Sequence, residues 1–191
     1  QRGRALLMAG SERYRGAAAL AAQGAMASGV GSLKAALPEA VADLIWQWLP
    51  ELVVSAAIPA TASGGLAWGP WLADADLTRL DALLLGPGVG SLEAQWDAWA
   101  EPLVSFQGLL VLDADGLNAL AASKQGWRWL CQREFPTWIT PHRSEFARLF
   151  PDLSGREPLE SVQSAAAESG AVVLLKGAHS LIADPNGVVH Q

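Results

Sequence analysis

Five short, largely apolar runs in this chain each stop at a glycine or charged corner. ALLMA (5–9) breaks at Gly10-Ser11, ALLL (82–85) at GPGVG, and GLLVL (108–112) at Asp113-Ala114-Asp115. Trp138–Thr140 ends at Pro141-His142, and AVVLL (171–175) at Lys176-Gly177. Unbroken apolar runs of this length read as strands buried on both faces. Leu52–Ala57 reads as a further strand. Between the strands, helices are predicted over Ala17–Ser28 (with Gly29 as the stop), Pro38–Trp48, Leu72–Leu80, Leu92–Trp99 behind a Ser91 cap, Leu117–Ala122, Ser144–Phe150 and Leu159–Ser169. Strand and helix in alternation predict an α/β domain with a largely parallel sheet. In such a sheet the crossovers bring the carboxyl ends of the strands to one edge, so the corners are expected to line one crevice.

With 191 residues, 51% of them apolar and 17% charged, the chain is long enough for one domain with a substantial core. A net charge of −6 argues against a broad nucleic-acid surface. The single Cys131 excludes an internal disulfide and a cysteine metal cluster, and makes a reducing, cytoplasmic compartment the natural expectation. No signal peptide pattern and no uninterrupted apolar run of membrane-spanning length is present. The opening Gln1-Arg2 and the stop just after Val188-Val189 read as cut from something longer. Most of the 9 tryptophans, against 1 tyrosine, are expected to fill core and grooves.

Lysine is scarce, limited to Lys34, Lys124 and Lys176. Lys176 follows a buried strand directly. Gly177 permits close backbone approach, Ser180 adds a hydroxyl, and Leu181–Ala183 returns before the turn Asp184–Gly187. That pattern suits a clamp for a phosphate group, and equally a surface hairpin with a solvated lysine. GPGVG departs from the dinucleotide pattern G-x-G-x-x-G because Ser91 holds the last position. A strand, three glycines and a helix start still suit backbone amides facing an anion, or simply a tight turn. No Walker sequence occurs. Asp113 and Asp115 are candidates for a metal or a ribose hydroxyl, Asp115 alternatively for capping a helix over Gly116–Ala122. His142 and Glu145 are candidates for a polar ligand; otherwise Glu145 answers a helix dipole and His142 is simply exposed. His179 and His190 have no sequence partner that suggests a metal site.

Taken in order, the corners resemble the ADP/ATP-dependent NAD(P)H-hydrate (NAD(P)HX) dehydratase family. The stretches that carry the resemblance are GSERYRGAAALAA (10–22), GPGVG (86–90), LDADGLNAL (112–120), TPHRSEFARL (140–149) and LLKGAHSLIADPNG (174–187). The resemblance implies a ribokinase-like three-layer domain with a largely parallel central sheet. It implies dehydration of hydrated NADH or NADPH back to the intact cofactor, with ADP or ATP as co-substrate and Mg2+ accompanying the nucleotide. Lys176, Gly177, Ala178, His179 and Ser180 would lie along the nucleotide. Gly16, Ala17, Ala18, Gly86, Gly88, Gly90, Asp113, His142 and Glu145 would face the hydrated cofactor. Two departures stand out. Arg143-Ser144 replaces the Pro-Gly often found between the His and Glu of the fourth motif, and Ser180 replaces a common threonine. The G-x-G-D loop that carries the family's catalytic aspartate is absent from the sequence. Residues 1–191 are therefore expected to form a single dehydratase domain that is incomplete at its C-terminal side, inactive alone, and with apolar surface uncovered. The resemblance also allows a fused N-terminal epimerase domain, and with the apolar composition it is compatible with self-association. A vitamin-precursor type kinase of the same fold, or a non-catalytic fragment, is the alternative reading.

Overall fold

The structure is a computed structural model and describes residues 3–60, 66–90 and 96–190. The predicted Ser91 cap and the start of the helix from Leu92 lie outside the described residues.

The chain begins with β1 (Arg4–Met8), α1 (Arg15–Ala27), β2 (Ser32–Pro38), α2 (Glu39–Ile45) and β3 (Val53–Ile58). It then crosses back through α3 (Trp68–Asp74) to β4 (Ala82–Leu85). From there it runs outward through α4 (Trp96–Trp99), α5 (Glu101–Ser105), β5 (Leu109–Leu112), α6 (Ala114–Ala122), a 3-10 helix (Gly126–Gln132), β6 (Thr137–Ile139), α7 (Arg143–Leu149), α8 (Pro158–Ser169) and β7 (Val172–Leu175). Two short strands, β8 (Leu181–Ala183) and β9 (Val189–His190), follow. The sheet has nine strands in the order β3-β2-β1-β4-β5-β6-β7-β8-β9. β1 to β7 are mutually parallel; β8 and β9 return antiparallel at one edge.

Winding first to one side of β1 and then to the other has a consequence for the faces. Right-handed crossovers taken in opposite directions put their helices on opposite sides of the sheet. α1 and α2 accordingly pack on one face, where Ala18, Ala22, Val41 and Ile45 meet Leu7, Ala35 and Leu37. α3 to α8 pack on the other, where Trp68, Leu103, Leu120, Phe146 and Val162 meet Met8, Leu85, Leu112 and Val173. The direction changes between β1 and β4, and such a switch point opens a crevice at the strand carboxyl ends.

Four departures from expectation stand out. The helix predicted over Pro38–Trp48 is shorter, because Pro38 closes β2 and α2 starts at Glu39. β2 escaped prediction: SLKAALP has no β-branched residue and ends in proline, so propensity argues against a strand. It forms because β1 and β3 pair with it on both sides, and its alanines let both helical layers approach. The helix predicted over Leu72–Leu80 lies earlier, at Trp68–Asp74, and the chain turns at Thr78 on the Asp76 side chain. Finally, Asp115 does not cap α6. Asp113 does, and the helix begins at Ala114 rather than Leu117. Among the tryptophans, Trp68, Trp96 and Trp129 are core as expected, Trp96 and Trp129 meeting edge to face at 4.9 Å. Trp46, Trp48 and Trp138 are exposed.

Away from the crevice, the buried Arg133 ties the amino ends of β5 and β6 together. Its guanidinium donates to the Thr137 hydroxyl at 2.8 Å, the Leu103 carbonyl, and the Gly108 carbonyl at 3.2 Å. Burial pulls its pKa down to about 10, which still leaves it charged at neutral pH. Arg133→Met keeps the aliphatic volume and strands those acceptors. It is expected to cost about 3 kcal/mol, the upper range for hydrogen bonds to a charged group. In thermal denaturation the midpoint should fall by roughly 6–12 °C; an unchanged midpoint would mean that water replaces the guanidinium at no cost.

Candidate functional site

The predicted corners end five adjacent strands, β1, β4, β5, β6 and β7, and contacts between corners join them into one edge. At β1, Gly10 (φ +84°) donates its amide to the Pro87 carbonyl at 2.8 Å. The glycine loop after β4 needs its composition. Gly86, Gly88 and Gly90 all have positive φ, at +131°, +67° and +80°. A Cβ on Gly86 would lie 1.8 Å from the Asp113 carbonyl oxygen, and one on Gly88 would lie 2.6 Å from the Ala17 Cβ. The loop is thus wedged between the start of α6 and the start of α1. That places Gly16, Ala17 and Ala18 beside it, where α1 begins.

At β5, Asp113 closes the strand and caps α6. Its Oδ1 accepts from the Ala114 amide at 2.8 Å and from Lys176 Nζ at 2.5 Å. Ala114 is the only non-glycine with positive φ among the described residues, at +48°. A non-glycine residue held there is strained, and such strain persists only when neighbours fix the backbone. Asp115, one residue on, accepts from the Gly90 amide at 3.0 Å through Oδ2, so it pins the glycine loop instead of capping the helix.

At β6, Thr140 donates its amide to Leu112, and His142 takes the N-cap position of α7. The His142 ring and Glu145 form a reciprocal cap. His142 Nδ1 accepts from the amides of Ser144 and Glu145 at 3.1 and 3.4 Å, and the Glu145 carboxylate accepts from the His142 amide at 2.8 Å. With its Nδ1 lone pair used in this way, the imidazole carries its proton on Nε2, 3.2 Å from Glu145 Oε1. Glu145 is only 5% exposed, whereas half of the His142 side chain remains open. The Glu145 carboxylate is therefore committed to the helix start.

At β7, the Lys176 amide donates to the Pro141 carbonyl at 2.8 Å, which joins the β6 and β7 corners. The Lys176 side chain crosses to Asp113, two strands away, and both stay partly open to solvent. Gly177, Ala178, His179 and Ser180 are exposed between β7 and β8. The lysine is therefore not a solvated hairpin residue: its ammonium sits over the crevice, with one contact spent on Asp113 and, among the described residues, two N–H donors to spare. Among the described residues no group of three or more His, Cys, Asp or Glu side chains is placed to hold a metal ion. No described helix is long and apolar enough to cross a membrane.

Two features of this edge were not expected from the sequence. The Asp113–Lys176 pair joins a residue assigned to the hydrated cofactor with one assigned to the nucleotide. Arg143 and Ser144, at the start of α7, line a cavity of about 580 Å³ with Arg156, Pro158 and Leu175.

Comparison with known proteins bears on the family and fold of this chain. The bifunctional NAD(P)H-hydrate repair enzyme of Synechocystis is 44% identical over 187 residues, which is 98% of this chain and 34% of that protein. Its counterpart from Gloeobacter violaceus is 43% identical, over 98% of this chain and 35% of that protein. The chain thus spans about a third of the length of the curated relatives it matches. Among solved structures, the ADP/ATP-dependent NAD(P)H-hydrate dehydratase from Bacillus subtilis, co-crystallised with ATP and Mg2+ and soaked with CoA, superposes with a TM-score of 0.78. It is 33% identical, over 98% of this chain and 64% of its own. A ribokinase-like superfamily protein from Enterococcus faecalis, 20% identical with a TM-score of 0.72 over 94% of this chain and 59% of its own, shares the fold. The family described as NAD(P)H-hydrate dehydratase matches residues 5–191, so the chain with this switch-point crevice belongs to the NAD(P)H-hydrate dehydratase family.

Proposed function

We propose that this domain binds a hydrated nicotinamide cofactor, NADHX or NADPHX, beside an adenine nucleotide, ADP or ATP, and takes part in dehydrating the first at the expense of the second. The observation that carries the reading is the meeting, on one sheet edge, of a three-glycine loop and a lysine held over the crevice by an aspartate. The loop between Gly86 and Gly90, packed against Ala17, offers backbone to a flat, polar ligand. Lys176 offers charge to phosphates from the other end.

In the proposed reaction the substrate hydroxyl gives up its proton and receives a phosphoryl group from the nucleotide. Phosphate then leaves while the adjacent ring carbon loses a proton, which restores the ring double bond. Catalysis of the first step needs positioning and neutralisation of charge. Lys176 and the Gly177–Ser180 turn supply part of that, while His142 presents the open side of its ring to the substrate. Mg2+ binds through one or two carboxylates together with phosphate oxygens. Here the nearby carboxylates are committed, Asp113 to Lys176, Asp115 to Gly90 and Glu145 to His142. The described residues do not make a cage for the ion. By analogy with the bifunctional relatives, an epimerase domain on the same polypeptide is part of this reading.

The test is calorimetry with ADP, ATP and NADHX on this chain and on a version extended to the length of its solved relatives, with recovery of NADH absorbance as the activity assay. His142 separates ligand contact from capping. His142→Asn keeps a good cap residue, while His142→Ala removes it at about 1 kcal/mol. Both variants are expected to weaken NADHX handling more than nucleotide binding. If His142→Asn handles NADHX normally and only His142→Ala fails, the histidine is a cap and not a substrate contact.

A further inference from the structure

Beside the crevice, the cavity between α7, α8 and the end of β7 has a composition that the proposed reaction leaves unused. Its volume of about 580 Å³ is that of a small-molecule pocket. Phe146, Pro158 and Leu175 give it an apolar side, with Phe146 and Leu175 buried. Arg143 enters from the first turn of α7, and Arg156 from the loop before α8. No carboxylate is among the described residues that line it. Two cations facing one cavity repel each other, and in a chain of net charge −6 acidic partners are plentiful. Arg143 nevertheless makes no hydrogen bond or ion pair among the described residues. Arg156 meets Glu160, one helical turn on, at 3.6 Å, with both side chains exposed. An exposed pair of that length is worth little and exchanges easily for a better anion.

The backbone under both arginines is fixed. Arg156 rides on a turn closed by its own amide to the Leu153 carbonyl at 3.2 Å and by the Ser154 hydroxyl to the Pro151 carbonyl at 3.0 Å. The buried Ser161 hydroxyl donates to the same Leu153 carbonyl at 2.8 Å and ties that turn to α8. Arg143 stands on a helix start locked by the His142–Glu145 cap. Fixed mounting lowers the ordering cost of binding. The Ser144 and Glu145 amides are already taken by the His142 ring, so the cavity offers side chains and not a helix end. A guanidinium takes two oxygens of one anion at once. Two guanidinia with the Ser144 hydroxyl beside them match a phosphate monoester, with its two charges and three terminal oxygens, better than a carboxylate. The apolar side strengthens that attraction by excluding water, and it gives the organic part of an ester a surface to rest on.

We propose that this cavity is an anion site for a phosphate monoester, separate from the nucleotide site at Lys176. Arg143 and Arg156 hold the phosphate, Ser144 adds a donor, and the organic group lies against Phe146 and Leu175. The same monoester chemistry has two sources: a dinucleotide that reaches over from His142, the residue before Arg143, or a separate phosphorylated metabolite. The inference rests on the cavity and does not depend on the dehydration chemistry.

The test is calorimetry on the 191-residue chain with inorganic phosphate, AMP and NADPH, and with NADH, which lacks a phosphate monoester, as the reference. Arg143→Gln and Arg156→Gln should each weaken binding of AMP or NADPH about tenfold, as expected for losing a hydrogen bond to a charged group. Both arginines are exposed, so the melting midpoint should stay unchanged and report an intact fold. Arg79→Gln removes the same charge from an exposed position ahead of β4 and should leave all four affinities alone. If the dinucleotide carries the monoester, NADPH binds more tightly than NADH and both cavity variants erase the difference. If a separate metabolite carries it, NADPH and NADH bind alike, while AMP and phosphate depend on the two arginines and are not displaced by ADP. Either pattern supports the site. Failure of ADP to bind, with AMP still dependent on the arginines, would count against the nucleotide site at Lys176 and not against this one. No binding of phosphate, AMP or NADPH, or binding that Arg143→Gln and Arg156→Gln leave unchanged, would overturn the proposal.

Discussion

Gly86→Ala is expected to disrupt the crevice more than any other single methyl group on this edge. The added Cβ would lie 1.8 Å from the Asp113 carbonyl oxygen and 2.7 Å from the Gly116 amide nitrogen, both backbone atoms. Neither can swing away as a side chain can. Gly116 is just as tight in the other direction, its own Cβ position being 2.8 Å from the Leu85 carbonyl oxygen. The two glycines let the start of α6 rest directly on the end of β4. Relief would require α6 to move outward, and Asp113 and Asp115 move with it. Lys176 then loses its partner and Gly90 its anchor. Added to the cost of a φ near +131° for a residue with a side chain, the expected loss is about 4 kcal/mol or more, in the range of the most disruptive core changes. For a domain of this size that lowers the melting midpoint by roughly 8–16 °C. Gly24→Ala is the control. It lies exposed within α1 with nothing within 4 Å of its Cβ position, and should gain about 0.5–1 kcal/mol from helix propensity. Comparable melting of the two variants would show that α6 is free to shift and that the close approach is not needed.

The same edge shows where sequence reasoning reaches and where it stops. The corners were legible because each imposes a demand that few residues meet. A chain that turns three times with positive φ needs glycine, and GPGVG displays it. A strand inside a parallel sheet needs an apolar run, and ALLL and VVLL display that, although they were expected to be buried on both faces and in β4 and β7 every second residue is only partly buried. β2 was illegible because its strand character comes from β1 and β3 on either side, not from SLKAALP itself. The reciprocal cap at His142 and Glu145 has the right spacing, but with histidine in the cap position the pattern reads equally well as a pair of ligands. Arg133 gave no local signal at all, since CQREF looks like a solvated turn until the carbonyls around it are placed. The Asp113–Lys176 contact spans 63 positions and skips a strand. Strand order was the missing information. Once β5 and β7 are known to flank β6, an acid at one end and a lysine at the other fall within the reach of a lysine side chain.

Lys176→Ala is expected to weaken binding of ADP and ATP by about 1.5–3 kcal/mol, the range for losing a hydrogen bond to a charged group, which is roughly 10- to 150-fold in affinity. The pairing with Asp113 refines that expectation. The ammonium is only 2.5 Å from Asp113 Oδ1, and this contact holds it over the crevice in the absence of any ligand. A pre-placed lysine saves the entropy of ordering a long side chain on binding. Asp113→Asn retains a good cap residue for α6 and weakens the hold on Lys176. It should therefore cost less than Lys176→Ala, and should cost nothing further once Lys176 is gone. The double-mutant cycle isolates that coupling. Lys176→Arg should not restore affinity, because a planar guanidinium docks on the Asp113 carboxylate as a fork and turns its remaining donors away from the phosphates. Titrations at rising salt add a second readout. Loss of the lysine should flatten the salt dependence of nucleotide binding, whereas a purely structural defect should lower affinity at every ionic strength alike. Unchanged ADP and ATP affinity in Lys176→Ala would remove this lysine from the nucleotide site. Strictly additive losses in the cycle would leave Lys176 there but reduce Asp113 to the cap of α6.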